Sequence, residues 1–453
     1  MKSKSVCLIR CPNFLLWDEK LQIPIGLLQL TAYLKKFSIK VNICDLAEQL
    51  PEKWEDLIPA ADIFGISLTT GDVPIGKAVA KLIKGMYPKS LIIAGSAHAS
   101  ALPKELLEES QFDVAVVGEG EQTLLEIALD RDLSIIDGIW YKENGAIRFT
   151  APRQLLKDLD ELPLPAWELM DDIFGKNLVE NGFEGTCITA SRGCCFRCAF
   201  CSQSIFNYTY RARSIKSVFL EVKELRDNYG VKQVRLVDEL TLLDRDKFIQ
   251  LCRSFGFLGI KWRTHSRADL ICKNKDLLPL AKECGLTELA VGIENPHPEM
   301  LKIMNKRITP EEAENSIYAI KEAGIKSKAY FIIGLPGESW ETIEYMKSWI
   351  LRVRPDRCTL STFVPYPNCA IYLNPEKYKM KLVKEKYDWK DFWILGYENT
   401  NHNFIMETEF MTNEELVRAR EDLLNFMVDN GYKDPPPAGW KPNLEVINAL
   451  ESN

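Results

Sequence analysis

Three cysteines, Cys194, Cys198 and Cys201, fall in the run Cys194-Cys195-Phe196-Arg197-Cys198-Ala199-Phe200-Cys201. Thiolates at this C-x3-C-x2-C spacing, on one short loop, can hold three irons of a [4Fe–4S] cube. The fourth iron then has no protein ligand and stays open to a substrate or cofactor, unlike the four-cysteine clusters of electron carriers. Zinc competes for short C-x-x-C pairs, but a closed zinc tetrahedron takes two separate pairs, and the chain has no C-x-x-C outside this run, where Cys195–Cys198 and Cys198–Cys201 share a cysteine. Most of the other cysteines, of thirteen in all, lie in apolar stretches, where a thiol packs as a small hydrophobe.

Such a loop needs strand ends around it, and residues 186–375 supply them. Thr186-Cys187-Ile188-Thr189-Ala190 leads into the cysteines. Runs at Val234–Val237, Lys261–Thr264, Glu288–Ile293, Ala329–Ile333 and Arg357–Ser361 follow, with helical stretches between them. In barrels of strand–helix units the reactive groups gather where strands end. There the sequence places Asp238-Glu239, His265 and Arg267, Glu294-Asn295, Gly334-Leu335-Pro336-Gly337-Glu338 and Phe363-Val364-Pro365-Tyr366-Pro367-Asn368. Asp238 suits an acidic helix cap equally well. His265, one of four histidines, reads as a hydrogen-bonded wall before an acid or base. Cys369 reads as packing, because nothing adjacent would lower its pKa.

Residues 1–130 alternate apolar runs with amphipathic stretches, the pattern of a doubly wound α/β sheet with ligands at the carboxyl ends of its strands. Those ends read Leu68-Thr69-Thr70-Gly71-Asp72, Gly95-Ser96-Ala97-His98 and Gly118-Glu119-Gly120-Glu121. Each alone suits an ordinary turn, which favours the same residue types. Residues 131–185 read as a hairpin about Asn144-Gly145 and a proline-stiffened connector, Asp158 to Trp167. The tail carries Trp389, Phe392, Trp393, Tyr397, Phe404 and Phe410 and a helical stretch from Asn413 to Asn430, and is expected to cap the barrel mouth.

Taken in order, these segments resemble the radical SAM superfamily, in particular its cobalamin-binding branch, the class B methyltransferase-like enzymes. The likeness spans roughly residues 5–370. Besides the cysteines it rests on Gly292-Ile293-Glu294-Asn295 beside the family's G-I-E-S and on Gly334 to Glu338 beside G-L-P-G-E. In the first domain it rests on Gly95 to His98 beside G-G-x-H and on Gly118 to Glu121 beside G-E-G-E. The resemblance implies an α/β chain in four parts. These are an N-terminal doubly wound (Rossmann-like) cobalamin-binding domain (1–130), a hairpin and linker (131–185), a partial (β/α)6 radical SAM barrel (186–375) and a small, mainly helical C-terminal cap (376–453).

The resemblance also implies roles. Cys194, Cys198 and Cys201 would ligate a [4Fe–4S] cluster whose open iron is chelated by S-adenosylmethionine, and reductive cleavage would give a 5′-deoxyadenosyl radical. Phe200 would flank the adenine. Asp238 or Glu239 would accept from the SAM ammonium, and Arg267 would grip its carboxylate. Glu294 would meet the ribose hydroxyls or the amino group, and Gly334 and Gly337 would pass their backbone beside the adenine. Thr69, Thr70, Gly95, His98, Gly118, Glu119 and Glu121 would line cobalamin. Ser96 departs from the second family glycine, Asn295 from the serine, and Leu240 from an aromatic. No D-x-H-x-x-G run is present, so no histidine of that motif would reach the lower face of cobalt.

The bulk numbers bound the rest. A chain of 453 residues, 46% apolar and 27% charged, suits two or three soluble-type domains. A net charge of −7 argues against a nucleic-acid partner, which demands basic surface. No apolar run approaches the ~18 residues of a membrane span. Thirteen cysteines without a secretion signal fit a reducing cytoplasm. The expected function is a cobalamin-dependent radical SAM methyltransferase acting on an unactivated carbon. The same fold suits radical cyclisation, ring contraction or carbon–carbon coupling, with or without cobalamin. A non-catalytic cobalamin or iron–sulfur binding module would share the motifs without cleaving SAM. A small-molecule or natural-product substrate and an electron donor such as flavodoxin or ferredoxin are the expected partners.

Overall fold

The apolar runs of the N-terminal region become β1 (Val6–Arg10), β2 (Val41–Asp45), β3 (Ile63–Ser67), β4 (Leu91–Gly95) and β5 (Val114–Val116), all parallel, in the order β2-β1-β3-β4-β5. The computed structural model describes residues 3–14, 19, 23–169, 178–180, 183–392, 404–433, 446 and 449. The chain falls into two compact units, one built on Met1–Gly182 and the other on Phe183–Gln203 and Tyr208–Lys441.

In the first unit, Val6, Leu8, Ile63, Ile93 and Val114 form one core with Leu27, Leu34, Leu124 and Ile127 of the helices Ile25–Lys36 and Glu121–Ala128. Chain direction across the sheet reverses between β1 and β3, and ligands of such sheets sit beyond the carboxyl ends near that point. The sheet continues into β6 (Ile139–Glu143) and β7 (Ala146–Phe149), both antiparallel to their neighbours. Their turn has φ of 50° at Asn144 and 79° at Gly145, as a two-residue type I′ hairpin requires. The hairpin therefore extends the first sheet instead of standing in a linker. The connector after it is also anchored. Pro163 O accepts from Gln29 Nε2 at 2.9 Å, Ala166 N donates to Leu28 O, and Trp167 is fully buried.

A short strand, β8 (Leu178–Glu180), precedes the second unit. That unit is built on β9 (Phe183–Ile188), the clip strands β10 (Ser191–Arg192) and β11 (Arg211–Ala212), then β12 (Gln233–Leu236), β13 (Lys261–Arg267), β14 (Leu286–Glu294), β15 (Lys326–Ile333) and β16 (Arg357–Thr362). Strands β9, β12, β13, β14, β15 and β16 are neighbours in chain order and all parallel. This is the six-unit partial barrel. Alternation along each strand sorts its side chains. Trp262 packs on Phe248 and Phe255 of the helix Arg245–Leu258, at 6.1 and 5.4 Å between ring centroids. Phe331 packs on Trp349 of the helix Trp340–Val353. Those residues mark the outer, helix-covered face. Arg263, His265, Arg267, Lys328 and Tyr330 alternate with them and take the inner face.

The C-terminal region holds a two-stranded ladder, β17 (Lys381–Leu382) with β18 (Met406–Glu407), and the helix Asn413–Asp429. Thr412 and Glu415 start that helix with a reciprocal capping box. The helix lies beside Trp340–Val353, fastened by the Lys347–Asp422 ion pair, and thickens the outer helical layer, while the tail's Phe404 and Thr408 lie on the turn at the end of β15, the latter donating to Glu338 O at 3.0 Å. Trp393 and Tyr397, two of the expected cap aromatics, lie outside the described residues.

Candidate functional site

The cysteine loop leaves β9 and is pinned from several sides of the second unit. Asp238, just past β12, accepts from Ala190 N at 2.7 Å and from Ser191 Oγ at 2.8 Å. Ala199 N donates to Met304 O, Asn305 Nδ2 to Arg197 O, Ile371 N to Ala199 O and Ser202 Oγ to Pro367 O. The segments after β14 and β16 thus hold the loop across the strand ends.

The three thiols lie near enough to feel one another's charge. Burial pushes Cys194 up to about 11, with Glu239, Cys195 and Cys198 adding to it. Burial pushes Cys201 up to about 12, with Glu239, Cys198 and Cys194 adding. Thiols this reluctant to ionise need cations among them, and metal coordination removes such protons outright. Among the described residues no three His, Cys, Asp or Glu side chains converge as one bound ion demands. Three soft thiol donors on one loop, held together by the segments after β14 and β16, are a donor set that suits a [4Fe–4S] cluster.

The expected carboxylate pair divides. Both oxygens of Asp238 are committed to the loop backbone and Ser191, in a buried position where its pKa rises to about 6 through burial. Asp238 thus holds the loop and is not turned toward a ligand. Glu239 is open to water, yet burial in a concave surface still raises its pKa. It is the carboxylate whose charge reaches both Cys194 and Cys201.

Arg267, expected to hold a carboxylate of SAM, is buried and differently employed. It donates to Asp269 at 2.9 and 3.3 Å, to Lys306 O at 2.7 Å and to Cys198 Sγ at 3.7 Å. Its guanidinium also lies 3.7 Å from the centroid of the Phe196 ring. Glu294 adopts φ 65° and its Oε1 accepts from Lys306 Nζ at 2.7 Å, both side chains being buried. Lys306 Nζ is also 5.6 Å from the centroid of the Phe200 ring. Lys306 was not anticipated. The run Met300 to Lys306 resembles a family helix in the sequence but gave Lys306 no role; in the structure Gly292 makes room for the pair, since an added Cβ there would lie 2.6 Å from Glu294 Oε1 and 3.1 Å from Lys306 Nζ.

The two expected adenine glycines carry positive φ, 88° at Gly334 and 87° at Gly337. Neither has an open Cα side. A Cβ at Gly334 would meet the Phe404 ring at 2.5 Å, and one at Gly337 would meet Ile303 Cδ1 at 2.9 Å. What they still offer a ligand is backbone. Glu338, fully buried, ties this turn to the previous one. Its Oε1 accepts from Asn295 Nδ2 at 3.0 Å and Thr342 Oγ1 at 2.6 Å, and its Oε2 from Gly334 N at 3.2 Å. Burial raises its pKa to about 7 against those donors. Cys369 is a buried cap that accepts from Tyr372 N.

In the first unit the expected cobalamin residues all lie at the ends of β3, β4 and β5, but they do different work. Thr69 is exposed and caps a turn with Asp72. Gly95 faces open space, and Gly118, φ 86°, donates its N–H to Ser100 Oγ. Thr70, His98 and Glu121 are buried. His98 stays neutral, its pKa lowered to about 4 by burial with Lys77 adding to the effect. Glu119 is buried and accepts from Leu156 N at 3.0 Å, so it fastens the connector and does not face a ligand. Ser96 adopts φ 79°, which explains the family preference for glycine at that place.

Comparison with known proteins agrees with this division. Residues 188–350 match the radical SAM superfamily and residues 19–128 the B12 binding domain. An uncharacterized methyltransferase of Pyrococcus horikoshii is 30% identical over 363 residues, 77% of each chain. An anaerobic magnesium-protoporphyrin IX monomethyl ester cyclase of Rubrivivax gelatinosus is 30% identical over 428 residues, 91% of this chain and 74% of the relative. The solved radical SAM methyltransferase TsrM of Kitasatospora setae, with cobalamin and a [4Fe–4S] cluster bound, shares the fold. Its TM-score is 0.72 at 17% identity, over 97% of this chain and 92% of that one. The chain belongs to the cobalamin-binding radical SAM enzymes. It is a SAM-dependent radical enzyme with [4Fe–4S] and cobalamin as cofactors, related to methyltransferases, cyclases and methylthiotransferases.

Proposed function

We propose that the protein is a cobalamin-dependent C-methyltransferase acting on an unactivated carbon. When bound, the cluster and SAM supply a hydrogen-abstracting radical and cobalamin supplies a methyl group. The chain's own residues hold and orient these groups. Cys194, Cys198 and Cys201 are the cluster ligands in this reading, and Glu239 is the acceptor for the SAM ammonium. Phe200 and the Lys306–Glu294 pair border the adenosyl group. Gly334 and Gly337 offer it backbone, while Arg267 secures the loop at Cys198. In the first unit Thr69, Gly95 and Gly118 are the groups open to the corrinoid, with Thr70, His98, Glu119 and Glu121 shaping the turns beneath. A low-potential flavodoxin or ferredoxin is the fitting electron source.

The observation that carries this reading is a B12-binding domain and a three-thiol loop on one chain, in a relative of a methyltransferase. A second reading, radical cyclisation, is favoured by the cyclase likeness over 91% of the chain. A methylthiotransferase reading has less support, because Cys7 lies buried within β1 and is unsuited to a second cluster.

The experiment is anaerobic incubation of the reconstituted, hydroxocobalamin-loaded protein with reductant and methyl-deuterated SAM, without substrate. Methyl transfer predicts S-adenosylhomocysteine and label on the corrinoid, together with 5′-deoxyadenosine. Formation of 5′-deoxyadenosine alone would sink the methyltransferase reading in favour of cyclisation or coupling.

A further inference from the structure

Side-chain hydrogen bonds reach two of the three loop sulfurs, and the two donors differ in charge. Arg267 Nη1 donates to Cys198 Sγ at 3.7 Å, and Gln203 Nε2 donates to Cys201 Sγ at 3.6 Å. Both lengths are ordinary for sulfur, whose radius exceeds that of oxygen. Cys194 is served by a backbone N–H, that of Phe196. One sulfur thus faces a cation, one a neutral amide and one a peptide group.

Both donors are held in place. Arg267 Nε and Nη2 bind the two carboxylate oxygens of Asp269, and Nη2 also donates to Lys306 O. Those bonds already anchor the guanidinium, and Nη1 is left to point at sulfur. The Phe196 ring lies against its face. The Arg267 side chain is 7% exposed, so water does little to weaken its bond to Cys198. The turn that supplies Lys306 O also grips the loop, since Met304 O accepts from Ala199 N and Asn305 Nδ2 donates to Arg197 O. One turn therefore fixes both the guanidinium and the loop that carries Cys198. Gln203 lies two residues past Cys201, and its Oε1 is buried with no partner among the described residues. Its amide is thus oriented by the N–H···S bond.

We propose that Arg267 and Gln203 are positioning residues that raise the reduction potential of the cluster, acting through Cys198 and Cys201. The proposal rests on the assignment of these cysteines as cluster ligands. One-electron reduction makes a cluster and its sulfurs more negative. A donor aimed at a ligand sulfur therefore favours the reduced form over the oxidised one. A charged donor does so more strongly than a neutral one. Glu239, whose charge reaches Cys194 and Cys201, opposes reduction, and the Gln203 amide offsets it at Cys201. The raised potential eases electron entry from a flavodoxin or ferredoxin donor.

The test is an anaerobic redox titration of the full chain, reconstituted with iron and sulfide and without SAM, followed by the electron paramagnetic resonance of the reduced cluster. A midpoint potential does not depend on how much cluster is held, so partial loading leaves it readable. Arg267→Met should lower the midpoint by a tenfold or larger shift in the reduced-to-oxidised ratio, about 59 mV for one electron. Arg267→Lys, which keeps the cation and loses the fork, should recover part of it. Gln203→Leu should lower the midpoint less, by about a threefold shift in that ratio, the loss of a neutral donor. Gln203→Glu should lower it further than Gln203→Leu, by setting a carboxylate against the sulfur. Lys326→Met, at the exposed start of β15, removes a charge from the other end of that strand and should leave the midpoint at the wild-type value. A midpoint unmoved in Arg267→Met or in Gln203→Leu, or one that falls as far in Lys326→Met, overturns the proposal. If Arg267→Met does not fold, Arg267→Lys and the Gln203 variants decide. Iron and sulfide per chain are measured on the same samples. A wild type without a cluster sinks the ligand assignment and the proposal together, whereas a cluster whose potential ignores both donors sinks the proposal alone.

Discussion

At the residue scale, the division of labour between Asp238 and Glu239 sets the candidate chemistry. Adjacent residues leaving a strand point to opposite sides, and the sequence does not say which side is which. Asp238 turns to the loop backbone and Glu239 to the thiols. Glu239→Gln should leave the cluster absorption intact but weaken SAM binding about tenfold or more, the loss of a charge-assisted bond. Equilibrium dialysis with labelled SAM would read this, and unaltered affinity would remove Glu239 from the site. Asp238→Asn should instead lower cluster retention, because its amide would confront donors. Ser96 yields a prediction of a different kind. A non-glycine residue held in the left-handed region is strained by about 1–2 kcal/mol, partly offset by the freedom glycine gains when unfolded. Ser96→Gly should therefore raise stability by about 0.5–1 kcal/mol in urea titration. A fall in the urea midpoint would mean the serine side chain supports the turn.

At the element scale, the turns after β14 and β15 act as one body because Glu338 joins them. Three donors, from Asn295, Thr342 and Gly334, reach one buried carboxyl. Its folded pKa of about 7 exceeds the ordinary 4.5, so between those values the folded chain keeps a proton that the unfolded chain has released. This group's contribution to stability therefore falls as pH rises from about 4.5 to 7. Glu338→Gln should remove that component of the slope, and at pH 7 it should cost about 1–3 kcal/mol by setting an amide donor against the existing ones. Urea midpoints across that pH range test both statements; an unchanged slope would show the carboxyl ionised throughout. The β-strands and the Asn144-Gly145 hairpin were legible in the sequence because their signals are local, apolar runs and turn chemistry. The Lys306–Glu294 pair was not. It depends on positive φ at Glu294, Asn305 and Arg307, which no periodicity announces. The helix Asn413–Asp429 was legible as a helix but not its seat, since an amphipathic face does not name its partner.

At the scale of the whole molecule, two sheets with separate cores carry two binding chemistries. The family likeness made both units legible in the sequence. Independent cores imply that damage to one site spares the other's cofactor. Gly118 has φ 86°, a conformation that a β-branched residue strongly resists. Gly118→Val should therefore distort the turn after β5 and reduce retained hydroxocobalamin after desalting, while iron content and cluster absorption stay near wild type. Cys198→Ala should do the opposite, abolishing the cluster and 5′-deoxyadenosine formation while corrinoid bands persist. If Gly118→Val loses cluster and corrinoid together, the two units do not fold independently. If it keeps the corrinoid, the turn after β5 is not where the first unit holds it.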